Sequence, residues 1–205
     1  IETEKAAIAE QTDKLYDLSS EVGKPRVQAF KDAWAAFLIQ HDEVKRLAGL
    51  HSNIRAADAI DAAGALQREA LTTLRGIEGR LESVLLTGTA EVPVIRAYTG
   101  LKAIDPQMLQ VSRDIRNIVI DMATPEDQQN SVAGLLESKE LLLKAIGDAA
   151  AMVPATERAA FDTYRQQVDG WLAGVETART LAVENSDYQA TVLTNGAAAE
   201  ARAKS

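Results

Sequence analysis

The chain has 205 residues; 46% are hydrophobic but only 4% aromatic, the formal net charge is −8, and there is no cysteine. That length allows one large or two small domains, each with a buried core. The acidic balance argues against nonspecific nucleic-acid binding, which needs a basic surface to displace counterions. The lack of cysteine excludes disulfides, thiolate catalysis and cysteine-based zinc sites.

Ala and Leu dominate the apolar residues and few stretches alternate with period two, so the sequence predicts an all-α fold. A first helix is expected over about 2–21, closed by Gly23, and a second over about 26–51, ended by Ser52 and Asn53. A third follows over about 54–87, and TGTAEVP (87–93) is the clearest loop. A short helix at about 94–103 then leads to longer ones at about 107–123, 126–152, 155–185 and 187–203. Pro25, Pro106, Pro125 and Pro154 each precede a helical pattern, where a missing N–H costs nothing, and Asp105 and Thr124 read as N-caps. In the helix from 107, Met108, Val111, Ile115, Ile118, Val119 and Met122 share one sector about 100° wide. Short connections between long helices predict an elongated antiparallel bundle. No run of about 18 apolar residues offers a membrane span, and the chain starts with Ile and lacks a signal peptide, so it reads as an excised piece.

The two halves echo each other. Ala29-Phe30 matches Ala160-Phe161, Leu47-Ala48 matches Leu181-Ala182, and Ala57 matches Ala190. The Phe-to-Leu spacing is 17 residues (47 − 30) in one copy and 20 (181 − 161) in the other, a difference close to one helical turn. The echo predicts two stacked four-helix-type modules, residues 1–100 and 101–205.

Cations interrupt the apolar stripes. With Phe30 as origin and about 100° per residue, Trp34, Phe37, Val44 and Ala48 fall within about 40°, and His41 lies at the centre of that stripe. Arg26 also falls on it, near the helix end, where its stem can snorkel. His41 is either a core histidine bonded to a neighbour or an imidazole lining an inter-helix pocket. In the helix at 155–185, with Phe161 as origin, Arg179 returns to the stripe, Arg165 sits near its edge and Tyr164 flanks it. A buried guanidinium cannot shed its charge, so its partner is either an internal acid or a bound carboxylate, which Arg grips bidentately. On the helix from 107, Arg116 lies on the flank of the stripe and Arg113 nearly opposite it; taken alone, both read as surface charges. Arg96 and Tyr98, just after the long loop, are lesser candidates.

The succession RDIRNIVIDMA, LLESKELLLKAIGDAAAM, ERAAFDTYRQQVDGWLAGVETARTLA and SDYQATVL, spanning about residues 105–205, resembles the four-helix-bundle ligand-binding domain of bacterial methyl-accepting chemotaxis receptors. VQAFKDAWAAFLIQHDEVKRLAGLHSNIRAADAI resembles the third and fourth helices of the same family, and the whole is similar to the helical bimodular sensor domain of chemoreceptors and some sensor kinases. The resemblance implies a periplasmic sensor domain of an inner-membrane receptor, flanked by transmembrane helices outside this chain. It also implies a homodimer that binds an organic acid or amino acid between helices and transmits a helix displacement. In that family, arginines on the first bundle helix hold the ligand carboxylate, which points to Arg116 first and Arg113 second. His41, Arg26, Trp34, Tyr164, Arg165 and Arg179 complete the candidate ligand-binding set.

Catalytic motifs fail on inspection. HDEVK at 41–45 lacks the pattern of a phosphotransfer histidine, and there is no Glu-x-x-His, H-E-x-x-H, Walker loop or G-x-S-x-G. The expectation is a protein that is not an enzyme and has neither cofactor nor metal. The rival to a sensor is a structural helical-bundle interaction protein, in which every inward cation meets an internal acid.

Overall fold

The computed structural model describes residues 2–120, 125–197 and 199–200, and these residues form an all-α structure. The helices are α1 (Glu2–Leu18), α2 (Lys24–Ala48), α3 (Ser52–Leu86), α4 (Val92–Lys102), α5 (Ile104–Ile120), α6 (Pro125–Ala150), α7 (Arg158–Glu184) and α8 (Ser186–Asn195), with a 3₁₀ turn, Ala155–Glu157, leading into α7. Pro25 and Pro93 sit in the first turns of α2 and α4, where their fixed φ suits the helix. Asp105 is not a cap: α5 already starts at Ile104, which leaves Asp105 in its first turn, where the helix dipole still favours an acid. The expected cap Thr124 and the stripe residue Met122 lie outside the described residues. The break after α2 falls earlier than expected. His51 takes a left-handed backbone, φ 48, and Ser52 opens α3 instead of closing α2.

The chain forms two compact units, one made of residues 1–51 and 186–205, the other of residues 52–185. The division expected at residue 100 therefore falls inside α4. Its physical cause is the partner of α3, which belongs to the first half in sequence but packs along α7.

The first unit consists of α1, α2 and α8. Its α1–α2 hairpin is antiparallel, tied by Lys5 to Asp42 at 2.8 Å and by Lys31 to Asp13 at 2.6 Å, and α8 packs on α2. Burial is thin, with Thr12 on α1, Leu47 on α2, and Ser186 and Ala190 on α8 below the surface. Leu15, Leu18, Val22 and Ile39 stay exposed. Phe30, Trp34 and Phe37 form a ladder along one face of α2, with ring centroids 6.5 and 5.2 Å apart.

The second unit holds the main core, with Leu74, Ile77, Leu101, Ile104, Met108, Ile115, Leu135, Leu142 and Val168 all sealed from water. Each such large side chain contributes about 1.5–3 kcal/mol by leaving water. On α3, Ala56, Ala63, Ala70 and Ile77 recur every seven residues and give α7 a flat, small-residue seam. The seam is antiparallel. Leu66 meets Gly170, Ala63 meets Gly174, Thr73 donates to Gln167 Oε1 at 2.9 Å, and Arg80 pairs with Glu157 at 2.7 Å. The approach is close enough that a Cβ built on Gly174 would lie 2.5 Å from that of Ala63. Among the described residues no helix is long and apolar enough to cross a membrane.

Candidate functional site

The seam does not close completely. Beside Ala63 and Gly174, α3, α5 and α7 leave a polar cavity of about 200 Å³. α3 contributes Asp61, Gly64, Gln67 and Arg68, α5 contributes Ser112, Ile115 and Arg116, and α7 contributes Trp171 and Val175. Each polar wall has a local cause. Gln67 shares the stripe of Ala63, Ala70 and Leu74, so the helix period turns it inward, where its Nε2 donates to Ser112 Oγ. The Ser112 hydroxyl in turn donates to the Met108 carbonyl at 2.9 Å, which anchors it to α5. Gly64 has no side chain, and Arg68 Nη1 rests 3.4 Å from where a Cβ would be, so the guanidinium folds back across the helix towards the cavity. Arg116 reaches the same space from α5. Neither guanidinium has a carboxylate within 4.0 Å among the described residues, although Asp61 shares the lining. Two cations against one acid leave a small, water-accessible space with a surplus positive charge.

Of the residues singled out in sequence, only Arg116 borders this cavity. Arg113 points to solvent and donates to Gln110 Oε1 at 3.5 Å. Arg179 is half-buried but already matched. Its Nε donates to both Glu176 carboxylate oxygens, at 3.0 and 3.1 Å, and Nη2 donates to the first of them as well. That guanidinium holds the Glu176 carboxyl below the usual range. Arg165 is exposed, contrary to its expected place near the stripe. The cause is a misplaced origin. The eight buried residues of α7, from Phe161 to Ala182, centre the face about 40° from Phe161 on the side of Trp171, which leaves Arg165 about 80° from that centre and outside the edge where it was expected. Tyr164 is wholly buried; its hydroxyl donates to Met108 Sδ at 3.4 Å, and burial pushes the phenol well above its ordinary pKa.

The other candidates lie in the first unit. Arg26 and Trp34 line one groove of about 560 Å³ between α1 and α2, with Ile8, Gln11, Thr12, Leu15, Val27 and Phe30. The Trp34 indole N–H is buried and makes no hydrogen bond among the described residues. His41 is not part of that groove. It tilts on Phe37 at 5.9 Å, with Nδ1 3.4 Å from an Asp42 carboxylate that Lys5 also holds, and its side chain remains 33% exposed. The stripe is there as expected, but three helices cannot cover it. A further groove of about 550 Å³ in the second unit is lined by Arg96, Lys144 and Met152, and there Lys144 is already bound to Asp148 at 2.8 Å.

Arg68, Gln67, Ser112 and Asp61 did not emerge from the sequence. Gln67 carried a usable signal, since it is a polar residue on a run of alanines spaced seven apart, but α3 is so rich in Ala that its inward face is hard to distinguish. Comparison with family models, with curated proteins and with solved structures finds no match for this chain. Among the described residues no group of three His, Asp or Glu side chains is placed to hold a metal ion.

Proposed function

We propose that this chain is the ligand-sensing domain of a transmembrane receptor, and that a small organic acid binds in the second unit between Arg68 and Arg116. The observation that carries the proposal is the pair of guanidiniums, unmatched by any carboxylate within 4.0 Å among the described residues, at one polar cavity. Charged guanidiniums beside a partly enclosed space attract a carboxylate, and Gln67 and Ser112 supply further polar atoms. The volume, about 200 Å³, lies below the ~300–1,000 Å³ of drug-sized sites and suits an acid of a few carbons. A ligand held by α3, α5 and α7 together would favour one offset of α3 against α7 over another, and this differential affinity is what shifts a signalling equilibrium. In this reading the domain is periplasmic, works as a homodimer between flanking membrane helices, has no catalytic role, and drives either a chemotaxis or a kinase output.

The test is a thermal-shift and calorimetric screen of the intact chain with two- to six-carbon mono- and dicarboxylates and amino acids. Ligand at about 100 times its Kd should add ~2.7 kcal/mol of stability. Arg116→Ala and Arg68→Ala should each weaken the hit by the ~1.5–3 kcal/mol of a charge-assisted hydrogen bond, and Arg165→Ala should not. A flat screen would support the rival structural bundle, which the closed pairs Arg179–Glu176, Arg80–Glu157 and Lys102–Glu78 favour on their own.

A further inference from the structure

The groove of the first unit has chemistry unlike that of the polar cavity. Its walls are Ile8, Leu15, Val27, Phe30 and Trp34, and its volume of about 560 Å³ falls inside the ~300–1,000 Å³ range of small-molecule sites. Few polar groups face it. The Thr12 hydroxyl already donates to the Ile8 carbonyl at 2.6 Å, which leaves Gln11, Arg26 and the buried Trp34 indole N–H, a donor without a partner among the described residues. The position of Arg26 is the second observation. The first turn of α2 carries no acid, and Lys24 and Arg26 both stand there, at the end of a helix where the dipole disfavours cations and favours anions. Lys24 is held by Glu21 at 2.8 Å, whereas Arg26 has no polar side-chain partner among the described residues. The backbone amides cannot serve in its place, because Arg26 N and Val27 N both donate to the Gly23 carbonyl, at 3.0 and 3.2 Å. One unmatched guanidinium thus stands at the rim of an apolar trough.

We infer that the α1–α2 groove is a second binding site, and that it takes an amphiphilic monoanion, a medium-chain alkyl carboxylate with its head at Arg26 and its chain along Leu15, Phe30 and Trp34. A dianion does not fit, because a single cation lines the groove, and a short polar acid would leave the apolar walls wet. This site is independent of the polar cavity, and the chain's two tryptophans separate them, since Trp34 borders the groove and Trp171 the cavity.

The experiment titrates the full chain carrying Trp171→Phe with hexanoate, octanoate and decanoate below their micellar concentrations, with 1-octanol as the uncharged control, and reads Trp34 emission. The expected result is a saturable change in Trp34 emission whose Kd tightens about two- to fourfold per added methylene. Arg26→Gln should weaken decanoate at least tenfold and leave octanol unchanged, and Arg26→Lys should retain part of the affinity. An unaltered far-UV spectrum of each variant confirms that the hairpin still folds. The inference is overturned if Arg26→Gln binds decanoate as tightly as the parent, which would mean unspecific uptake by exposed apolar surface. It is equally overturned if Trp34 does not respond while light scattering shows a dimer that Leu18→Glu dissociates, which would mean that a second copy covers this face. Either failure leaves the response of Trp171 to short acids untouched.

Discussion

At Gly174, α7 passes so close to α3 that an added methyl has nowhere to go. A Cβ there would lie 2.5 Å from Ala63 Cβ and 3.5 Å from Ala63 Cα. Carbon atoms attract best at about 3.5–4.0 Å, so Gly174→Ala obliges the two helices to part by about 1 Å. Two opposing effects follow. Replacing Gly by Ala in a helix interior ordinarily gains about 0.5–1 kcal/mol, and overpacking a well-filled contact costs about 1–3 kcal/mol. Gly147 on α6 isolates the first effect, because a methyl added there would meet nothing within 4 Å, and Gly147→Ala should simply stabilise. The propensity gain cancels in the comparison, so the two variants should differ by the overpacking alone, about 1–3 kcal/mol, with Gly174→Ala the weaker. Urea unfolding read by Trp171 emission in a Trp34→Phe background measures this for the second unit alone. If Gly174→Ala gained as much as Gly147→Ala, Ala63 and Gly174 would not be in contact, and the register of α3 on α7 described above would be wrong.

Three further outcomes follow from the same packing. Arg80→Ala should cost about 1–3 kcal/mol in urea unfolding, because the Glu157 side chain is only 10% exposed and loses the donor that reaches it at 2.7 Å; adding Glu157→Gln should recover part of the loss. The Glu176 carboxyl is held below its ordinary value of 4.5 by the Arg179 hydrogen bonds. Its contribution to stability is therefore full above about pH 4.5 and lost as pH falls through the lower native value, and Arg179→Met should flatten the melting-temperature profile there. Tyr164→Phe should cost under about 1 kcal/mol, since the hydroxyl meets only a thioether sulfur, a weak acceptor, at 3.4 Å, whereas Tyr164→Ala should cost about 3–5 kcal/mol by cavity formation; urea midpoints decide between them.

The helices could be read because proline, glycine and the 3.6-residue period act locally, and the break after α3 and the described part of the α5 stripe fell where expected. The ends were less legible: α1 stops at Leu18, so that Gly23 precedes α2 instead of closing α1, and Val92 and Pro93 belong to α4 and not to the loop. The pairing of helices could not be read in the same way. Whether α3 packs with its sequence neighbours or with α7 depends on how alanine and glycine faces fit, and those faces look alike in a chain so rich in Ala. The site followed the same division. Arg116, which borders the cavity, was singled out by the resemblance and not by the stripe of α5, on whose flank it reads as a surface charge. Arg165 was misplaced because the wheel of α7 was centred on Phe161 when the mass of its buried face lies towards Trp171 and Ala178. Arg179 was posed as either ligand-holding or internally matched, and it pairs with Glu176, the acid three residues earlier on the same helix. His41 lies on the stripe, but periodicity cannot show how much of a stripe its neighbours cover.

The second unit interrupts the first, and this sets an order of assembly. The register that places Ala63 against Gly174 also places Ser52 against Asn185, since 63 − 52 and 185 − 174 are both 11. The inserted segment thus begins and ends side by side once it has folded. During synthesis α1 and α2 emerge first, but α8, which packs on α2, follows only after 134 residues (185 − 52 + 1) have been made. Closing an unstructured loop of that length would cost roughly 4 kcal/mol of chain entropy, a large sum against three helices that bury so little. The interrupted unit is therefore a late product of folding. It completes only when its insert has drawn the two distant pieces of chain together, so damage to the α3–α7 seam should unfasten α8 from α2 without touching either helix.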